Sequence, residues 1–327
     1  MDMKTQAVYL LEPGKVEVRD AECADPVAGQ VQVHSLANGI CMGEVVQFTG
    51  VLELPCPRPL GHEGIGVVTK LGAGVEGVRE GDHVTIWNDP RLAVEDGFPW
   101  QADLNLPADR VVKFSRPVDD PAVMLGEPAA CAATALYSYK ITPGDRVLLM
   151  GTGYMGLLNV QGLAHCPLAE LIVTDVKAAN LKLAAEFGAT ETVQVGTAEG
   201  DDRMEQLKAE PFDLVIDSAG VARVLQATAA YVRPGGRIGM FAWHHGEVSL
   251  DMDTLHMKGV TMLNSSPWMG ADHNIDKMER GVRLLERGIL DMRKLVTHRY
   301  SLAEVQRAME ESADRPDGYI KGTLVFE

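Results

Sequence analysis

Cys41, His62, Glu63 and Glu127 are the side chains in the N-terminal half of the chain best suited to hold a metal ion. They stand in three short blocks: Asn38-Gly39-Ile40-Cys41-Met42-Gly43-Glu44, Gly61-His62-Glu63-Gly64-Ile65-Gly66 and Gly126-Glu127-Pro128. Thiolate, imidazole and carboxylate are what a catalytic Zn2+ takes as three protein ligands, leaving one position for water or substrate. Singly they say little, because a lone cysteine is usually a small buried hydrophobe and a lone histidine is often simply packed. Their weight comes from a second constellation further along the chain.

There the apolar stretch DRVLLM runs directly into Gly151-Thr152-Gly153-Tyr154-Met155-Gly156, and the sequence continues with helical character. In such a strand–turn–helix, Gly151 permits the tight turn, Gly153 lets the backbone approach a pyrophosphate, and Gly156 allows close helix packing. The diphosphate then sits on the helix N-terminus. The next apolar stretch, LIVTDV, ends in Asp175, about twenty residues on, where a carboxylate can accept from the ribose hydroxyls of a bound dinucleotide. A carboxylate there repels a 2′-phosphate, so NAD(H) is expected over NADP(H), with Lys177 as the residue able to offset the preference.

These groups need two kinds of scaffold. Residues 5 to 114 read as short alternating or apolar strands between Gly, Pro and Asp turns: AVYLLE, KVEVRD, QVQVHSLA, GIGVVTKLG, HVTIW and RVVKF. From about residue 129, apolar strands alternate with helical stretches, the pattern of successive βαβ units on a parallel sheet. After about residue 270 come an amphipathic helix (IDKMERGVRLLERG), a strand near VTHRY, a helix (SLAEVQRAMEESA) and a final strand, IKGTLVFE. The expected class is α/β plus β: residues 1–128 and 270–327 form a mainly β domain, and a doubly wound Rossmann sheet, residues 129–269, is inserted into it.

Composition narrows the function. With 327 residues, 46% hydrophobic and 23% charged, the chain has ample material for packed cores. A formal net charge of −16 with no basic run argues against a nucleic-acid or anionic-membrane partner. No stretch reaches the ~18 apolar residues of a membrane helix, and MDMKTQAVYLLEPGKVEVRD lacks the apolar core of a signal peptide, so a cytoplasmic protein is expected. Five cysteines, widely spaced and without C-x-x-C, fit neither a disulfide framework nor a four-cysteine zinc lobe.

Over essentially its whole length the chain resembles the zinc-dependent medium-chain dehydrogenases, the family of alcohol, sorbitol and threonine dehydrogenases. The resemblance is carried by EPGKVEV, GQVQVHSLANGIC, PLGHEGIGVV, VREGDHV, GEPAAC, GTGYMG, YVRPGGRIGMF and VTHRYSLAEVQRAME. It implies a GroES-like catalytic domain around the Rossmann domain and a zinc ion on Cys41, His62 and either Glu63 or Glu127. The remaining carboxylate would lie behind the ligands or exchange with water, and Glu44 would support the zinc-bound histidine. Two departures stand out. Many relatives carry a four-cysteine lobe for a structural zinc, but the corresponding stretch here is WNDPRLAVEDGFPWQADLNLP, so one zinc per chain is expected. Gly43 stands where relatives usually have Ser or Thr to relay the alcohol proton.

The implied activity is hydride transfer between NAD(H) and a small secondary alcohol, polyol or sugar-derived alcohol, or the matching carbonyl compound. Candidates for the substrate wall, expected in a cleft between the domains, are Gln47, Phe48, Trp87, Phe98, Trp100, Trp243, His244, Trp268 and Met269. The pair His244-His245 is singled out as able to bind a polar substrate or to replace the relay. Two other readings compete: a zinc-free NADPH-dependent quinone or enone reductase, and a noncatalytic NAD(H)-binding protein. The resemblance further implies a homodimer or homotetramer joined through the edge strand near VTMLNSS.

Overall fold

The structure, a computed structural model, describes residues 3–86, 100–265 and 275–327. It divides into two compact units, residues 1–130 with 273–327 and residues 131–272.

The first unit is mainly β. Strands β1 (Met3–Glu12) and β2 (Lys15–Cys23) form an antiparallel hairpin, extended on the β1 side by the short β4 (Arg58–Pro59). The larger sheet uses β3 (Gln30–Gly39), β5 (Glu63–Leu71), β6 (His83–Ile86), β7 (Asp103–Pro107), β8 (Val111–Lys113), β15 (Val296–Ser301) and β16 (Lys321–Val325). Its order is β15-β16-β3-β5-β6-β8, with β7 also pairing β3. Alternation explains the strands: in β7, Leu104 and Leu106 turn inward and join Val31, Val33, Val68, Val84 and Ile86 in one core. A second core holds Val8, Leu10, Trp100, Tyr300 and Leu324. Helix α1 (Met42–Phe48) follows β3, and α2 (Gly126–Ser138) has residues on both sides of the division.

The second unit is a parallel sheet of β9 (Arg146–Met150), β10 (Glu170–Asp175), β11 (Glu191–Gln194), β12 (Phe212–Asp217), β13 (Val232–Met240) and β14 (Thr261–Asn264). Near-continuous buried runs such as Val147–Met150 and Leu214–Asp217 are what strands covered on both faces require. The helices α3 (Tyr154–Ala164), α4 (Ala178–Glu186), α5 (Ala198–Leu207), α6 (Ala222–Tyr231) and α7 (Met252–Lys258) connect them. The order β11-β10-β9-β12-β13-β14 reverses between β9 and β12, which makes the carboxyl ends of those strands the place where a doubly wound sheet binds ligands. Back in the first unit, α8 (Ile275–Glu286) and α9 (Val305–Asp314) complete the chain. The α9 helix buries Val305, Ala308, Met309 and Ser312, an i, i+3, i+4, i+7 stripe. No helix among the described residues is long and apolar enough to cross a membrane.

Candidate active site

Register brings the metal-seeking groups together. In the large sheet Gly39, at the end of β3, lies opposite Glu63, at the start of β5, and on its other side opposite Thr323 of β16. Cys41 follows two residues after Gly39, in extended geometry, and α1 begins directly behind it. One donor atom each from Cys41, His62 and Glu63 lies within 4.8 Å of the other two, a spacing and a donor set that one zinc ion accepts. Glu127, buried in the first turn of α2, does not belong to that trio.

Glu44 orders two of the three. Its Oε2 accepts from the Cys41 backbone N–H at 3.0 Å, and its Oε1 accepts from His62 Nδ1 at 2.5 Å. A single buried carboxylate thereby fixes the loop that carries the thiol and turns the imidazole so that its other nitrogen is available to the trio. Burial disfavours a charged His62, but Glu44 and the adjacent Cys41 outweigh it and hold the imidazole well above its usual range. The Cys41 thiol is pushed up, first by burial and then by the neighbouring Glu63.

Glu63 has a partner that the sequence reading misses. Lys321, at the start of β16, lies 2.5 Å from Glu63 Oε2, and both side chains are buried. Burial works against the charge on Lys321, yet Glu63 and Cys41 raise its pKa overall. The two strands carrying the pair are separated by β3, and Gly39 is what lets them meet: a Cβ there would overlap Glu63 Oε2. Gly126 makes room for Thr85. A Cβ at that position would overlap the Thr85 side chain, whose hydroxyl donates to Gly64 O beside Glu63.

Gly43 lies where the sequence places it. A Cβ built there would stand 3.6 Å from His62 Cε1 and 4.0 Å from Cys41 Sγ, in ordinary contact, so a side chain at this position would face the trio.

In the second unit the glycine loop is built mainly from backbone. Gly151 has a φ of +106°, which an L side chain rarely adopts, and its ideal Cβ would lie 2.7 Å from Ala219 N. A Cβ at Gly156 would overlap Gly151 O, whereas one at Gly153 would meet nothing within 4 Å. The loop therefore needs glycine where it folds on itself and leaves an open face at Gly153, the N-cap of α3, where a diphosphate would be received. Tyr154 and Met155 open that helix. Asp175, at the end of β10, faces this loop: its Oδ2 accepts from Thr152 N–H at 2.6 Å and from Thr152 Oγ1 at 2.7 Å, and its Oδ1 accepts from Lys177 N–H at 2.8 Å. Lys177 itself is exposed.

The substrate-wall candidates separate. Trp100 is a core residue, 1% exposed, set against Gly61 with its Nε1 donating toward Gly39 O at 3.4 Å. It backs the turn that carries His62 instead of offering a surface to substrate. Phe48 is also buried in that core, and Gln47 donates its Nε2 to Gly43 O at 2.8 Å while its buried Oε1 has no hydrogen-bond partner among the described residues. Trp243 is 61% exposed and sits against His245, with ring centroids 4.2 Å apart. His244 turns inward, its Nε2 2.5 Å from the fully buried Asp217. Trp87, Phe98, Trp268 and Met269 lie outside the described residues.

Known proteins share this fold. A profile of the alcohol dehydrogenase GroES-like domain matches residues 27–95, and one of the zinc-binding dehydrogenase matches residues 155–287. An uncharacterised zinc-type alcohol dehydrogenase-like protein of Escherichia coli K12, YdjJ, is 24% identical across 98% of this chain and 99% of its own length. The crystal structure of RspB from E. coli CFT073, described as a short chain alcohol dehydrogenase complexed with NADH, is 24% identical with a TM-score of 0.86 over 99% of each chain. That of L-idonate 5-dehydrogenase from E. coli K-12 is 22% identical with a TM-score of 0.85, over 100% of this chain and 99% of the other.

Proposed function

The chain belongs to the zinc-dependent medium-chain dehydrogenase family, and from that premise we propose that it transfers hydride between NAD(H) and a small secondary alcohol or polyol, or the matching carbonyl compound. The observation that carries the proposal is the trio of Cys41, His62 and Glu63 with one oriented donor atom each. A zinc ion held there would supply Lewis acidity to the substrate oxygen, and the nicotinamide would take or give the hydride. Glu44 keeps the imidazole in the ligating orientation. Lys321 balances the Glu63 carboxylate, and Glu127 is a further buried carboxylate of the same unit.

Asp175 supports NAD(H) as the dinucleotide. Two of its hydrogen bonds go to Thr152 and one to Lys177 N–H, which pins its charge beside the glycine loop, where a 2′-phosphate would meet it. The polyol class rests on analogy with relatives such as the idonate dehydrogenase. We also propose a homo-oligomer joined through β14, the edge strand of its sheet among the described residues.

The test is metal analysis followed by a polyol and ketone panel with NAD+ and NADP+, before and after chelation. One zinc per chain, loss of turnover on chelation and return on adding zinc are expected. Full activity in the metal-free protein, or activity confined to enones with NADPH, would overturn the reading.

A further inference from the structure

The second unit contains a buried acid–imidazole pair to which zinc-assisted hydride transfer assigns no role. Asp217 is the last residue of β12 and is fully buried; in the sheet it lies level with Met150 of β9 on one side and Met240 of β13 on the other. Its Oδ1 accepts from Ala219 N–H at 3.0 Å and its Oδ2 takes His244 Nε2 at 2.5 Å, while its backbone carbonyl accepts from Phe241 and Ala242 N–H at 3.0 and 3.1 Å. The residue thus ties the loop after β12 to the loop after β13. The first of those loops also rests on the glycine turn: Ser218 N–H donates to Met150 O at 2.9 Å, and Ala219 occupies the space beside Gly151.

Across the carboxyl edge of the sheet the groups therefore run in a fixed order. Asp175 ends β10, the glycine turn follows β9, and Asp217 ends β12 with His244 in the segment after β13. A dinucleotide whose adenosine ribose is held at Asp175 and whose diphosphate lies on the glycine turn has its nicotinamide half directed toward β12 and β13. His244 waits at that end. In the neutral ring with Nε2–H donated to Asp217, the remaining nitrogen, Nδ1, is an acceptor, and no described residue partners it.

Resting on the NAD(H) reading, we infer that His244, oriented by Asp217, accepts a hydrogen bond from the carboxamide NH2 of the nicotinamide and so fixes which way the ring faces. Asp217 is the positioning residue and His244 the group that touches the cofactor. The pair sets the tautomer as well as the orientation. Replacing Asp217 by Asn leaves the amide oxygen to accept from Ala219 N–H and turns the amide NH2 toward Nε2. The proton is then forced onto Nδ1, which becomes a donor and opposes the carboxamide NH2.

Three ligands distinguish this role from a structural one: NADH, the analogue carrying an acetyl group in place of the carboxamide, and ADP-ribose, which lacks the ring. Binding is measured by calorimetry on the intact zinc-loaded protein, with energy transfer from tryptophan to the reduced ring as a second signal. His244→Phe should weaken NADH about three- to tenfold, the effect of one hydrogen bond, and leave ADP-ribose within about twofold. Asp217→Asn should reverse the wild-type preference for NADH over the acetyl analogue. Equal weakening of NADH and ADP-ribose in both variants, or an unchanged NADH-to-analogue ratio in Asp217→Asn, overturns the inference. A wild-type protein that binds neither NADH nor ADP-ribose overturns the NAD(H) reading beneath it.

Discussion

Around Cys41 the polar atoms that meet come from residues 41, 44, 62, 63 and 321, brought together by strand register and one helix start. Around Gly151 nearly everything comes from one turn and the ends of its neighbouring strands. The first region is assembled from ionisable side chains packed out of water, and each depends on another: His62 on Glu44, Glu63 on Lys321, with Gly39 leaving room for the second contact. The second is assembled from backbone, and its one ionised contact, Asp175, is anchored mainly to backbone N–H groups and one hydroxyl. A site of buried charges should be fragile and all-or-none, whereas a backbone cradle should lose affinity in steps.

The sharpest way to break that contrast is to remove a donor from the trio. Cys41→Ser and His62→Ala are expected to abolish turnover while NADH affinity stays within about twofold, since the deleted groups belong to the first unit and the glycine loop to the second. Parallel kinetics and fluorescence titration of NADH check this; a matching loss of NADH binding would mean the two regions are not independent. Glu44→Gln, which keeps the shape but weakens the grip on His62, should cost about 10–100-fold in zinc affinity.

Next in size is the buried ion pair. Lys321→Met leaves Glu63 charged and unpartnered unless a cation compensates, and should destabilise the zinc-free protein by roughly 3–5 kcal/mol. Zinc should recover some of that loss, because bound ligand stabilises the fold that holds it. Thermal unfolding with and without zinc is the measurement. An unchanged melting temperature in the zinc-free variant would remove Lys321 from the site. Gly39→Ala is the companion test: a methyl in the path of Glu63 Oε2 should separate the pair without deleting either charge.

How far each region is legible in the sequence follows from the same contrast. The glycine loop is readable because its chemistry depends on spacing within a few residues, and Gly151, Gly156 and Asp175 lie where that spacing puts them. The types Cys, His and Glu are also readable. That Glu63 joins the trio depends on which residues of β3 and β5 face each other, a property of long-range register. Lys321 leaves only a faint trace, a charged residue opening an otherwise uncharged final strand. The Asp217–His244 pair shows the same limit: His244-His245 stands out as an unusual dipeptide, but its partner is fixed by two parallel strands and lies 27 residues away. The stretch around Trp100 misleads because an aromatic residue near a site can equally be its foundation.

A smaller effect separates the two dinucleotides. Asp175→Ala removes three accepted hydrogen bonds and a negative charge, so NADH should weaken by about tenfold or more. NADPH should lose less, because the variant also removes repulsion of the 2′-phosphate. The ratio of the two dissociation constants is the readout, and a ratio that stays constant would place the selectivity elsewhere, with exposed Lys177 the first residue to examine.

The smallest expected effect concerns Gly43, and it probes whether the trio lacks only a proton path. The position is free of backbone strain and has room: a Cβ would touch His62 Cε1 at 3.6 Å without overlap. Gly43→Ser should therefore change stability by no more than about 0.5 kcal/mol, while placing a hydroxyl beside the metal-binding groups. If proton release limits alcohol oxidation, the serine variant turns over faster below the wild-type optimum, where a missing relay costs most, and the advantage shrinks as hydroxide in solution takes over the proton. An identical pH–rate profile in both proteins would mean that another group already carries the proton, and the glycine would then be a matter of substrate room near Cys41 and His62.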